Sequence, residues 1–96
     1  MRKYEALVIV DARLEEGDIG KAVDRFSGAI TDSGGEVQGI DRWGVRRFAY
    51  EIAHQHEGYY FLANFTAPEA AIEQLERTVR IGDEFVRAKI VRPEAV

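Results

Sequence analysis

An α+β domain with the element order βαββαβ is the architecture this sequence predicts, and three observations carry that expectation. Apolar residues recur at helical spacing in two segments, 19–30 and 72–79. Strand-like runs precede, separate and follow those segments, and the separating stretch is long enough for a hairpin. The chain has 96 residues, sized for one domain around one core, so 1–96 is assigned to a single unit. Such an order closes as the ferredoxin-like arrangement, a four-stranded antiparallel sheet with two helices on one face. The other face stays open unless something binds it.

KYEALVIV, residues 3–10, is apolar and β-branched, and reads as a buried, central strand. From Gly17 the period changes: Ile19, Ala22, Val23, Phe26 and Ile30 form one stripe, with Asp24 and Arg25 facing solvent. Ser33-Gly34-Gly35 ends that helix, Gly34 supplying a left-handed cap. A long second strand runs from about Glu36 to Ala53, where Gly39 and Gly44 interrupt the alternation and predict a bulge or bend near Gly44. HQHEG, 54–58, is a turn, and YYFLANFT, 59–66, pairs back as the third strand. Pro68 opens the second helix, Ile72, Leu75 and Val79 form its inward stripe, and Gly82 ends it. In FVRAKIVR, 85–92, Val86, Ala88 and Ile90 alternate with Phe85, Arg87, Lys89 and Val91. This last strand should pair with the first, leaving Pro93–Val96 as a short polar tail.

The net charge of −4 argues against a nucleic-acid partner, but its distribution argues for one. Arg2, Lys3, Arg42, Arg46, Arg47, Arg87, Lys89 and Arg92 fall in strands, whereas most carboxylates fall in or beside helices. Charge sorted in this way yields a basic surface on an acidic protein, and local potential is what attracts phosphate. With no cysteine, disulfides and thiolate metal sites are excluded, and a reducing cytoplasm fits. The apolar run Ala6–Val10 is too short for a signal peptide or a membrane span.

No constellation points to catalysis, a cofactor or a metal. His54 and His56 form an H-x-H in a turn, with Glu51 or Glu57 as the nearby third ligand, and read as a solvated turn. Glu15-Glu16 and Asp83-Glu84 lie at helix boundaries, where solvent keeps two pKa values together rather than apart. Ser27 and Ser33 have no nucleophile-elbow context, and Gly34-Gly35 follows a helix rather than opening one. The third strand also bears comparison with RNA-recognition motifs, matching at Gly58, Tyr59, Phe61 and Leu62 and failing at Glu57, Tyr60 and Asn64. The first strand is aliphatic where a stacking platform is needed, so these aromatics read mostly as core and hairpin packing.

Arg46 and Arg47 stand in WGVRRFAYEI, with Arg46 on the face of Phe48 and Tyr50 and Arg47 on the other. Charges there keep an edge strand from pairing with other chains, and can also dock a partner supplying acids or phosphates. Arg2, Lys3, Arg87, Lys89 and Arg92 cluster if the outer strands pair.

Taken together, MRKYE at the start, GGEV, WGVRRFAYEI, EGYY and RIGDEFVRAKIVR at the end resemble bacterial small-subunit ribosomal protein six along nearly the whole chain. The resemblance implies a non-enzymatic constituent of the small subunit, a monomer when free. It implies joint binding, with small-subunit protein eighteen, to the central domain of the ribosomal RNA, and no small-molecule substrate or membrane. It makes Arg2, Lys3, Tyr4, Arg87 and Arg92 the RNA contacts, and Asp41, Arg42, Arg46 and Arg47 the partner-protein edge. Lys89 joins the RNA set by strand alternation alone. Many relatives carry a longer C-terminal tail, absent here. Two other readings stay open, a free-standing RNA-recognition module and a dimeric ligand sensor of the same fold.

Overall fold

The computed structural model describes residues 1–52 and 54–93, so the expected strand end at Ala53 and the tail residues 94–96 lie outside the described residues. The elements follow the expected order: β1 (Arg2–Asp11), α1 (Glu16–Asp32), β2 (Glu36–Ile52), β3 (Gln55–Ala67), α2 (Ala71–Ile81) and β4 (Phe85–Val91). All pairings are antiparallel and the sheet order is β2-β3-β1-β4, with β1 central as its apolar run predicts.

Register assigns every strand residue to a face. Tyr4, Ala6, Val8 and Val10 of β1 pair with Phe65, Ala63, Phe61 and Tyr59 of β3 beneath the helices. There they meet Ile19, Ala22, Val23, Phe26 and Ile30 of α1 and Ala71 and Leu75 of α2. Phe26 lies edge-on to both Phe61 and Phe85, at centroid distances of 5.9 and 6.5 Å. Lys3, Glu5, Leu7 and Ile9 point to the opposite, open face with Thr66, Asn64, Leu62 and Tyr60.

Two details differ from simple alternation. In β4, Arg87 pairs with Ile9 but Phe85 with Val10, so Val86 is the extra residue of a bulge. Phe85 therefore turns into the core instead of sharing a face with Arg87 and Lys89; burial of its ring outweighs the regular pleat. The β2–β3 hairpin is also tighter than a five-residue turn: Ile52 pairs with Gln55, and β3 starts there. His54 takes a left-handed conformation (φ 62°) to allow it.

Helix α1 ends as its sequence predicts. Gly34 has φ 87°, its N–H reaches Thr31 O and that of Gly35 reaches Ile30 O, the paired bonds of a Schellman cap. The Arg25 guanidinium grips both Glu84 oxygens at 2.9 and 3.1 Å, joining α1 to the turn before β4. In contrast, Gly28 carries no neighbour within 4 Å of an added Cβ. Gly28→Ala should raise stability by about 0.5–1 kcal/mol through chain entropy alone. Gly58→Ala should lower it by about 1–3 kcal/mol, because the new methyl would overlap Ile9 Cγ2 and the Phe48 ring. Urea titrations of both variants would test this contrast.

Asp11 closes β1. Its Oδ1 accepts the Arg13 backbone N–H at 2.9 Å, and the Arg13 guanidinium donates to both carboxylate oxygens, at 2.8 Å for the shortest contact. Those side-chain hydrogen bonds hold the Asp11 carboxyl below its usual range, against the opposing effect of burial. Folding lowers this pKa, so the resulting stability is complete above the unfolded value and disappears as pH falls through the folded one. Asp11→Asn should therefore lower Tm at neutral pH and leave it closer to wild type in acid. A Tm–pH profile in which the gap persists unchanged at low pH would contradict this.

Candidate nucleic-acid and partner interface

The site begins with what β2 does after Gly44. Trp43 is skipped in the pairing, since Arg42 opposes Phe61 and Gly44 opposes Tyr60, and Gly44 adopts φ 87°. This is the bulge that the glycine pattern predicts; a side chain at Gly44 would resist that conformation. The bulge turns Trp43 onto the open face, where its ring stacks on Tyr60 at 6.4 Å with an interplanar angle of 4°. Trp43 remains 41% exposed, its indole N–H bonds Asp41 Oδ2 at 3.1 Å, and the Arg46 guanidinium lies 5.8 Å from its ring.

Further along, pairing lapses between Arg47 and Ile52, and this end of β2 curls over the sheet. Phe48 tilts against Tyr60 at 6.2 Å and, with Gly58, covers Ile9, which is buried although it lies on the open side. Between the curled segment and strands β1 and β4 runs a groove of about 310 Å3. Leu7, Ile9, Phe48 and Tyr60 give it an apolar floor and wall, while Arg47, Arg87 and Lys89 stand at its rim. Tyr50, 68% exposed, borders it as well. An apolar cleft with cations at the rim suits an apolar group attached to something anionic or hydrogen-bond accepting.

The structure sorts the expected RNA contacts into two places. Lys3, Arg87 and Lys89 share the open face with Arg46. Arg2 and Arg92 lie at the other side, near the start of α2. Arg2 meets Glu69 at 3.6 Å, and Arg92 borders a hollow with Glu69, Glu73 and Glu76. Tyr4 needs a correction. Its ring stacks on Phe65 at 5.6 Å and is only 5% exposed, so it is a core residue and offers no stacking surface to a base. Even-numbered residues of β1 face the helices, and Tyr4 follows that period.

The expected partner edge divides too. Asp41 and Arg46 face the open side, whereas Arg42 faces the helices. Arg42 donates to the Tyr59 hydroxyl at 2.8 Å and to Glu16 at 3.1 Å, with its guanidinium 5.3 Å from the Tyr59 ring. Arg47 lies at the rim between the open-face groove and a second hollow shared with Arg13, His54 and His56. Glu51 reaches His54 at 3.4 Å and His56 at 3.6 Å. Among the described residues no three such side chains are placed to hold a metal ion, and no helix is long and apolar enough to cross a membrane.

Sequence reasoning missed Trp43, Phe48 and Tyr60 as parts of the site. The signal was Gly44: a bulge there shifts the parity of everything before it, which brings Trp43 over Tyr60. The RNA-recognition comparison fails in the same terms. Its positions Tyr59 and Phe61 face the helices, Phe61 being fully buried, and the open-face aromatic is Tyr60.

Comparison with known proteins bears on the fold and the family. Residues 3–92 match the family model described as ribosomal protein S6. The chain is 43% identical over 94 residues to small ribosomal subunit protein bS6 of Carboxydothermus hydrogenoformans, covering 98% of each. It is 40% identical over 94 residues to bS6 of Paenarthrobacter aurescens, covering 98% of this chain and 93% of that one. The crystal structure of 30S ribosomal protein S6 from Thermotoga maritima superposes with a TM-score of 0.93 at 28% identity, covering 98% of this chain and 89% of that one.

Proposed function

The chain belongs to the ribosomal protein S6 family, and on that premise we propose that it binds the central domain of the small-subunit ribosomal RNA jointly with small-subunit protein eighteen. As a family member it is a structural constituent of the small ribosomal subunit, in the cytoplasm. The observation that carries the finer reading is the open face. In a chain of net charge −4, it brings Lys3, Arg46, Arg87 and Lys89 to one face of the sheet, Arg87 and Lys89 with Arg47 at the rim of an apolar groove.

In this reading Arg46 and Arg47, with Asp41 and the exposed Trp43, receive the partner protein along the β2 edge. Arg42, held by Tyr59 and Glu16, fixes the strand rather than meeting the partner with a free guanidinium. Lys3, Arg87 and Lys89 meet phosphates from the β1–β4 side. Arg2 and Arg92, which stand among carboxylates, contribute less. Few phosphate contacts release few counterions, so the isolated chain should bind RNA weakly and with only a shallow dependence on salt. A second protein with contacts of its own makes the joint complex much tighter, because linked sites act at high effective concentration.

The test is a titration of a central-domain RNA fragment at two salt concentrations with this protein, with protein eighteen, and with both. Binding that appears only with both proteins supports the reading. Equal affinity with and without protein eighteen would move the RNA site to the β1–β4 cations alone. No binding in any mixture would overturn it and favour a small-molecule occupant for the open-face groove.

A further inference from the structure

Tyr50 is the most exposed aromatic at the open-face groove, at 68%, and it stands on the stretch of β2 where pairing with β3 lapses. Among the described residues its ring stacks on no other aromatic. The sheet register lays out the groove floor. Ile9 sits between Tyr60 on β3 and Arg87 on β4, and Leu7 sits between Leu62 and Lys89. Neighbouring strands lie about 4.8 Å apart, so each cation stands one strand away from an aliphatic floor residue.

The charges at the groove are of one sign. Arg47, Arg87 and Lys89 line it, no carboxylate does, and among the described residues none of the three has an ion-pair partner. Arg2, Arg13, Lys21, Arg25 and Arg42, by contrast, all meet carboxylates. Arg87 and Lys89 lie two residues apart on one face of β4, about 7 Å along the strand, and can hold the phosphates on either side of one nucleotide. Apart from the cations, the only polar side chains of the lining are two tyrosines, so an occupant is held by stacking and charge. An acidic peptide would bring backbone N–H and C=O groups into this apolar cleft, at a cost unless each found a partner. A nucleotide keeps its charge on the chain and leaves a flat base free to enter.

We propose that one unpaired base of the central-domain RNA enters this groove and stacks on Tyr50 over the Leu7 and Ile9 floor, while Arg87 and Lys89 hold its flanking phosphates. The inference rests on the joint binding of RNA with protein eighteen and adds to it a contact with a single extruded base, recognised by its flat face rather than its edge.

The test uses the complex of the whole chain, protein eighteen and the central-domain RNA fragment. Ultraviolet irradiation should crosslink one unpaired nucleotide to the peptide that carries Tyr50, as read by mass spectrometry. Tyr50→Ala should weaken joint RNA binding about tenfold, a typical loss for one stacked base, whereas Tyr50→Phe keeps the ring and should stay within about twofold of wild type. An abasic site at the crosslinked nucleotide should cost the wild type about tenfold and cost Tyr50→Ala almost nothing, since both changes delete the same contact. Tyr50 is exposed, so Tm should stay near that of wild type in both variants. Additive losses from the abasic site and Tyr50→Ala, or RNA affinity unchanged in Tyr50→Ala, would overturn the proposal. So would a Tyr50→Ala variant that binds protein eighteen as much more weakly in the absence of RNA, because the groove would then hold a segment of that protein. In each of those failures the wild-type mixture still binds RNA and the joint reading stands. A wild-type mixture that binds no RNA overturns both.

Discussion

Arg46→Glu combined with Arg47→Glu is expected to weaken joint binding of this chain and protein eighteen to central-domain RNA by about a hundredfold or more, with the fold intact. Both side chains are exposed, and their loss removes no buried contact from the core. What changes is the rim of the open-face groove and the guanidinium over Trp43. Loss of one partner from an interfacial hydrogen-bonded charge pair typically costs about 2–5 kcal/mol, and reversal adds like-charge repulsion. Circular dichroism and Tm should match wild type within a few degrees. If joint binding survives in the folded double variant, the β2 edge is not where the partner docks. A loss of affinity that scales equally with and without protein eighteen would instead make these arginines phosphate contacts, and the salt slope would fall with them. The Arg42→Ala variant provides a contrast: its guanidinium is engaged with Tyr59 and Glu16. Its loss should be felt more in stability than in partner affinity.

The fold was legible because period and punctuation agreed at every level. The stripe from Ile19 to Ile30, the Gly34 cap and the apolar β1 each specify the same arrangement, and the helix limits fall within a few residues of expectation. The site was legible only in part, and the reason is parity. A strand face is read by counting in twos, so each bulge reverses the assignment on one side of it. Extra residues at Gln38, Trp43 and Val86 do this three times. Phe85 therefore entered the core against the count, and Trp43 came onto the open face beside Tyr60. Tyr4 was misplaced for a different reason. Alternation alone puts it under the helices with Ala6 and Val8, and its assignment to RNA rested on family resemblance. The curl of β2 over Ile9 has no local signal at all; it depends on the missing side chain of Gly58, which lies beyond the turn in the chain but beneath Phe48 in space.

The same parity separates a core aromatic from a surface one at adjacent positions. Phe61→Ala should lower stability by about 3–5 kcal/mol, enough to unfold much of a domain whose total is about 5–10 kcal/mol. Phe61 is fully buried, packs edge-on against Phe26 and opposes Val8 in the central strand, so no neighbour can close the hole without moving the sheet. Tyr60→Ala should be far milder, about 1 kcal/mol, because its ring is only partly buried and its loss chiefly removes the contacts with Trp43 and Phe48. Its consequence should appear in partner affinity, since Trp43 loses the surface it stacks on. Denaturant titrations of the two variants, followed by joint RNA binding for Tyr60→Ala, would test both halves. Comparable stability for the two would mean that the open-face aromatics are as structural as the core. A folded Phe61→Ala variant with lost RNA binding would restore the RNA-recognition reading, which requires Phe61 to stack on a base rather than on Phe26.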